Sequence, residues 1–194
     1  MIDQIYKNKT KVLTVDYAEE IYNILKTHNS IGKTPYVETL EESVRNSEIS
    51  SKNPNIRVIG YFEENKLISF LVQRMSEKIP AWHMTLLGTI SKHPWNYKLN
   101  GLEYCWANAM DYAESKNIFR IYWTLPARWA KTQVKTYKTT DVWYRYNIYI
   151  EDIIPPGSKP LWTEHNTSFG EKNRDYESVV KLGVLKNEYR SFNL

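Results

Sequence analysis

Cysteine is almost missing from this chain: Cys105 is the single one in 194 residues. It can form no internal disulfide, so a disulfide-stapled scaffold is excluded and a reducing compartment is the simpler expectation. One thiol and four scattered histidines also give no zinc-ligand spacing. No G-x-S-x-G segment is present, which leaves a nucleophile-elbow hydrolase unsupported. No run approaches the roughly 18 apolar residues of a membrane-crossing helix, so no membrane partner is expected. The opening MIDQIYKNKT is polar and carries no apolar signal-peptide core, and a cytoplasmic location is expected. Internal repeats and low-complexity stretches are absent as well, which sets solenoids aside.

What is present is ordinary for a globular domain, with 42% apolar and 25% charged residues. The exception is aromatic content. Fifteen tyrosines and seven tryptophans combine apolar bulk with a polar tip, and serve a core or a ligand groove equally well. A net charge of +4 gives only a weak preference for anionic partners.

Hydrophobic periodicity orders the chain. Val12–Val15 reads as a short strand, followed by a helix with Ala18, Ile21, Tyr22 and Leu25 on one face. Asp16 and Glu19 have the spacing of a capping box for that helix. A weaker helix is predicted over Val37–Ser47. Arg57–Phe62 and Leu67–Val72 read as strands joined by the polar turn Glu63-Glu64-Asn65-Lys66, a hairpin. Ala81–Ile90 makes a third strand, so the three form a meander. A loop over Ser91–Lys98 leads to the strongest helix, where Leu102, Cys105, Trp106, Ala109, Met110 and Ala113 form one apolar stripe. A strand over Ile118–Trp123, a helix over Ala127–Val134 and a strand or bent hairpin over Val142–Ile154 follow. Beyond residue 154, only Val179–Leu185 reads as another strand. The domain is therefore expected over residues 1–154, with residues 155–194 an extension packed on it. This order belongs to the mixed α/β (α+β) class and excludes a pure bundle or sandwich.

The strand–loop–helix unit carries Lys98-Leu99-Asn100-Gly101-Leu102-Glu103 at the start of its helix. In this, and in element order over about Lys11–Ile154, the chain resembles the GNAT superfamily of acyl-CoA N-acyltransferases. The segment Tyr144–Pro160 and the ending Leu185–Arg190 further resemble uncharacterised marine phage members, which implies no substrate. The resemblance implies a GNAT-like fold, a central mostly antiparallel sheet flanked by helices. It also implies acetyl-CoA or another acyl-CoA as the second substrate, an amine as acceptor, and compatibility with a homodimer. The family signature, Gln/Arg-x-x-Gly-x-Gly/Ala, holds the coenzyme pyrophosphate. Here Lys98 keeps a cation, Gly101 keeps the central glycine, and Glu103 replaces the small residue. Unpaired N–H groups and the positive end of the helix dipole attract phosphate, while the Glu103 carboxylate repels it. Asn100-x-x-Glu103 is equally a complete capping box that needs no ligand.

Carried onto this sequence, the family's cofactor contacts fall on Lys98, Leu99, Asn100 and Gly101. A strand N–H within Leu86–Thr89, represented by Leu87, would polarise the acyl carbonyl. Tyr137, placed after the helix that follows the fifth strand, would be the acid for the departing thiolate. His83 titrates in the range of a base and sits on the third meander strand, where a structural histidine is the alternative. His93 and Lys92 precede the helix, and Glu77 is a further carboxylate in a turn. The basic and aromatic stretch with Arg120, Arg128, Lys131, Lys135 and Lys138 beside Trp123, Trp129 and Tyr137 reads as a solvated face over a core cluster. Nucleic acid is not an expected partner, since a dedicated binder is more basic. The expected function is acyl transfer to an amine by direct attack. The alternative is a catalytically inactive binding protein of the same fold, favoured by Glu103, Trp95 and Tyr97.

Overall fold

A computed structural model describes residues 8–24, 55–75, 81–90, 101–126, 146–154 and 179–186. The predicted helices at 37–47 and 127–134 and the loop at 91–98 lie outside them. Strand β1, Thr10–Val12, is followed by a 3-10 turn, Val15–Tyr17, which leads into α-helical residues 18–24 (α1). Thr14 occupies the cap in extended geometry and donates its hydroxyl hydrogen to Asp16 Oδ2 at 2.8 Å. Asp16 thus stands inside the turn instead of capping it, and the Asp16/Glu19 capping box does not form.

Strands β2 (Ile56–Glu63) and β3 (Lys66–Met75) form the expected hairpin. Its two central residues, Glu64 and Asn65, have φ of 47° and 65°, the primed turn that matches the right-handed twist of the flanking strands. Strand β4 (Ala81–Thr89) completes the antiparallel meander. Helix α2 (Leu102–Ser115) then crosses to β5 (Arg120–Pro126), which pairs parallel to β4. Parallel neighbours need such a crossover. Strands β6 (Tyr146–Ile154) and β7 (Val179–Lys186) finish one seven-stranded sheet, ordered β1-β2-β3-β4-β5-β7-β6. The strand at 179–186 therefore lies inside the sheet, between β5 and β6.

Each face of the sheet carries its own core. On one face, α2 buries Leu102, Cys105, Trp106, Ala109, Met110 and Ala113 against Ile59, Tyr61, Leu71, Trp82, Ile121 and Trp123. On the other, Leu13 and the α1 residues Ile21 and Ile24 pack on Ile56, Val58, Phe70 and Val72. Gly88 permits this close approach, because a Cβ there would stand 2.5 Å from the Phe70 ring and 2.9 Å from Ile24. The strands of the meander are therefore covered on both faces, which explains their nearly unbroken apolar runs.

Candidate active site

The meander and the crossover meet in an irregularity. β4 runs for nine residues, yet it pairs with β5 only through Ala81, Trp82 and His83, opposite Arg120, Ile121 and Tyr122. Among the described residues the two strands make no further pairs, although both continue. The cause lies on the other side of β4. There Val72 pairs with Leu86 and Gln73 pairs with Met84, leaving Thr85 as an extra, bulged residue. A bulge bends its strand and increases its twist. Here it directly follows the last β4–β5 pair, so the two strands part as a wedge opening towards Thr89 and Pro126.

Backbone parity assigns the groups that face the wedge. The Ile90 N–H donates to the Ile68 carbonyl at 3.0 Å, so Ile90, Gly88 and Leu86 turn their peptide groups to β3. Leu87, in the other phase, turns its N–H and C=O away from β3 and into the wedge. The closed end is plugged on the α2 face by three indoles. Trp106 of α2 lies 5.2 Å from Trp82 on β4 and 5.7 Å from Trp123 on β5, between ring centroids. All three are at most 2% exposed.

α2 begins at the open end of the wedge. Thr89, Ser69 and Tyr61 are aligned across β4, β3 and β2, and Gly101 rests on the Tyr61 ring. Gly101 is the helix cap, with φ of 68° and ψ of 7° and no side chain to supply a capping bond. This corrects the Asn100/Glu103 capping box. With the cap at Gly101, Glu103 is the second helical residue, one place short of capping-box geometry. A left-handed residue followed by right-handed ones turns successive N–H groups to one side, the concavity that receives anions. Side-chain substitution at Gly101 is blocked twice, by its φ and by the Tyr61 ring, 2.2 Å from an added Cβ.

The ring below is fixed. Tyr61 stacks on Tyr104 at 5.3 Å and 17°, and its hydroxyl donates to Glu63 Oε1 at 2.8 Å. Burial, then that hydrogen bond, pushes the Tyr61 phenol well above its ordinary range. The Tyr104 phenol is raised first by burial and then by the negative charge of Glu103. Beneath the first turn, Cys105 is fully buried and hydrogen-bonded to Ser69. Burial raises its thiol so far that it has no thiolate character. Farther along α2, Arg57 donates to Gln73 Oε1 and Asn108 Oδ1, both at 3.0 Å, and lies 3.8 Å from the Tyr112 ring centroid. Gln73 donates to the Ala109 carbonyl and Asn108 to the Thr10 hydroxyl. This network ties the helix to three strands and holds its first turn at the wedge mouth.

The structure thus brings Leu87 to the wedge and Gly101 to its mouth. The His83 backbone occupies the closed end, the last rung before the strands part. Lys98, Leu99, Asn100 and Tyr137 lie outside the described residues, as do Glu77, Lys92 and His93. Of the basic and aromatic stretch, Trp123 belongs to the core while Arg120 donates to the Tyr122 hydroxyl at 3.0 Å. That tryptophan is not available to stack on a base. Sequence reasoning missed the Thr85 bulge, the Tyr61 seat of Gly101 and the half-buried Arg74. No composition signal marks a bulge, and the other two depend on which strand lies under which helix. Among the described residues no cluster suits a metal ion, and no helix is long and apolar enough to cross a membrane.

No protein-family model and no curated protein matches the sequence. Solved structures do match. A mutant spermidine N-acetyltransferase from Vibrio cholerae is 14% identical, with 93% of this chain and 96% of that one covered and a TM-score of 0.63. An acetyltransferase of the GNAT family from Streptococcus pneumoniae is 15% identical over 92% and 98% of the two chains, at a TM-score of 0.59. The PaiA N-acetyltransferase of Thermoplasma acidophilum, in complex with coenzyme A, is 12% identical over 89% and 96%, at 0.57. With the wedge between β4 and β5 and the crossover helix rising from its mouth, this chain has the fold of the GNAT N-acetyltransferases.

Proposed function

We propose that the chain is an acyl-CoA-dependent N-acyltransferase. The observation that carries this reading is the wedge, which turns the Leu87 peptide away from β3 at the end of the sheet where α2 begins with the glycine cap Gly101. In the reaction, the amine nitrogen bonds to the thioester carbonyl carbon as the C–S bond breaks. One proton leaves the amine for a base, and another reaches the departing thiolate from an acid. Acyl-CoA, as second substrate, supplies the thioester. The chain's own groups then have distinct tasks. The N–H groups around Gly101, assisted by Lys98, Leu99 and Asn100, hold the pyrophosphate, and the left-handed cap without a side chain leaves them room. The Leu87 N–H donates to the acyl carbonyl oxygen, where negative charge develops. His83, whose row lies roughly 10–13 Å along β4 from Leu87, is proposed as base acting through a water, and Tyr137 as acid. Glu103 opposes the phosphate electrostatically, so the N–H groups around Gly101 and the Lys98 charge must outweigh it.

Calorimetric titration with acetyl-CoA and with CoA tests the reading, on the wild type and on Lys98→Glu. Binding weakened at least about tenfold by the charge reversal is expected. Gly101 is unsuited to this test, because its substitution breaks packing whether or not phosphate binds there. No heat and no thermal shift at millimolar ligand would sink the enzyme reading and leave a binding protein of the same fold. Where binding is present, Tyr137→Phe is expected to lower kcat by roughly 100-fold or more with CoA affinity unchanged.

A further inference from the structure

The sheet face opposite α2 changes character at the closed end of the wedge. Where α1 covers it, this face is apolar, with Ile56, Val58, Phe70 and Val72. Across the rung that contains Ile56, the register continues to Arg74 on β3, His83 on β4, Tyr122 on β5 and Gly183 on β7. Gln73 and Met75 turn to α2, so Arg74 turns to the opposite face. Ile121 and Trp123 likewise turn to α2, which places Tyr122 and Arg120 on Arg74's face. The hydrogen bond from Arg120 to the Tyr122 hydroxyl agrees with this. Gly183 adds no side chain to the row. Arg74 therefore stands on the last rung before the wedge and Arg120 two residues short of it, on positions roughly 12 Å apart across β4.

Arg74 is the unusual member. Its Nε is wholly buried and meets no hydrogen-bond acceptor among the described residues. Burial shifts the group, lowering its pKa, and no carboxylate among the described residues acts in the opposite direction. A buried guanidinium donor without an acceptor is costly, and turning the Nε edge out to a carboxylate, which can bridge it with two parallel hydrogen bonds, would relieve that cost.

Resting on the N-acyltransferase reading, we propose that Arg74, with the Arg120–Tyr122 pair across the rung, seats an anionic group of the amine acceptor. The acceptor is a small amine bearing a carboxylate several bonds from the reacting nitrogen. Two features separate this seat from the coenzyme's phosphates. It lies at the closed end of the wedge, whereas α2 begins at the open end. It also lies on the face that the three tryptophans leave unplugged, by which an acceptor reaches the wedge. The row stands roughly 10–13 Å along β4 from Leu87. An arginine side chain spans only part of that, so the anion and the amine cannot be adjacent. A dicarboxylic amino acid meets this requirement and a polyamine does not.

The test measures CoA thiol release with acetyl-CoA and three acceptors: L-glutamate, L-glutamine and spermidine. Alongside it, glutarate, which has the two carboxylates and no amine, is titrated by calorimetry. L-glutamate is expected to exceed both other acceptors by about tenfold or more in kcat/KM. Arg74→Gln should raise its KM by roughly 10- to 100-fold while CoA affinity stays within about twofold, and Arg74→Lys should fall between. Glutarate should bind the wild type and be lost in Arg74→Gln, with melting temperatures confirming that both variants fold. Preference for spermidine, equal use of glutamine and glutamate, or glutarate binding that is absent or indifferent to Arg74 would overturn the proposal. Failure of CoA to bind would instead remove the enzyme reading, and the glutarate titration would still decide whether Arg74 seats a carboxylate.

Discussion

Substituting Gly101 by alanine perturbs the wedge mouth in a way that can be worked out beforehand. Alanine must adopt φ of 68°, which costs about 1 kcal/mol relative to glycine. Its Cβ would also stand 2.2 Å from Cδ1 and 2.3 Å from Cε1 of Tyr61. That ring cannot yield freely, since it is 4% exposed, stacked on Tyr104 and tethered through its hydroxyl to Glu63. Overpacking of this kind costs about 1–3 kcal/mol, so the total is about 2–4 kcal/mol. In a chain of this size the melting temperature should fall by roughly 5–15 °C. Thermal and urea unfolding of Gly101→Ala measure it, with Tyr61→Ala and the double variant completing a cycle. Without the ring, only the backbone cost of about 1 kcal/mol should remain. A change within about 0.5 kcal/mol in the wild-type background would refute the packing argument. So would an equal cost in both backgrounds.

Two further predictions concern the groups beneath α2. Because the buried Cys105 thiol and Tyr61 phenol are raised in the folded state, their contribution is fully present below their ordinary values of 9.0 and 10.0. It is lost as pH rises above them, where the unfolded chain ionises and the folded chain does not. Urea titrations should show stability falling above pH 9.0, less steeply in Cys105→Ala, and a thiol reagent should label the native protein only at its unfolding rate. Labelling in a rapid burst would show that Cys105 is accessible. Asn108→Ala should cost about 1–3 kcal/mol in urea unfolding, because it strips a partner from both Arg57 and the Thr10 hydroxyl. A loss under about 0.5 kcal/mol would mean that the network does not anchor the helix.

Much of the architecture is written locally. The α2 stripe from Leu102 through Ala113, the Glu64-Asn65 turn and the apolar runs of β2, β3 and β4 follow from periodicity and turn chemistry, which act over a few residues. Local pattern therefore determined the elements, their order, and the resemblance that the solved structures support at the level of the fold. It also placed Gly101 at the head of the crossover helix. It did not determine the cap itself. Asn100 and Glu103 carry a capping box in sequence, but the Tyr61 ring admits only a glycine above it, and the cap moves one residue.

Other features required the tertiary structure. The Thr85 bulge has no residue signature, yet it shifts the phase of β4 so that Leu87 faces the wedge, and it ends the pairing with β5 at His83. The strand at 179–186 is weak in isolation and gains its place between β5 and β6 only from long-range pairing. Arg57, Arg74 and Arg120 look alike as residues in strands. Arg57 becomes a clamp under α2, Arg120 a partner of Tyr122, and Arg74 a donor with no acceptor among the described residues, because the sheet sets which face each one meets. Sequence fixes the period of a strand, but the side of the molecule that period faces, and what waits there, is decided by contacts between residues far apart in the chain.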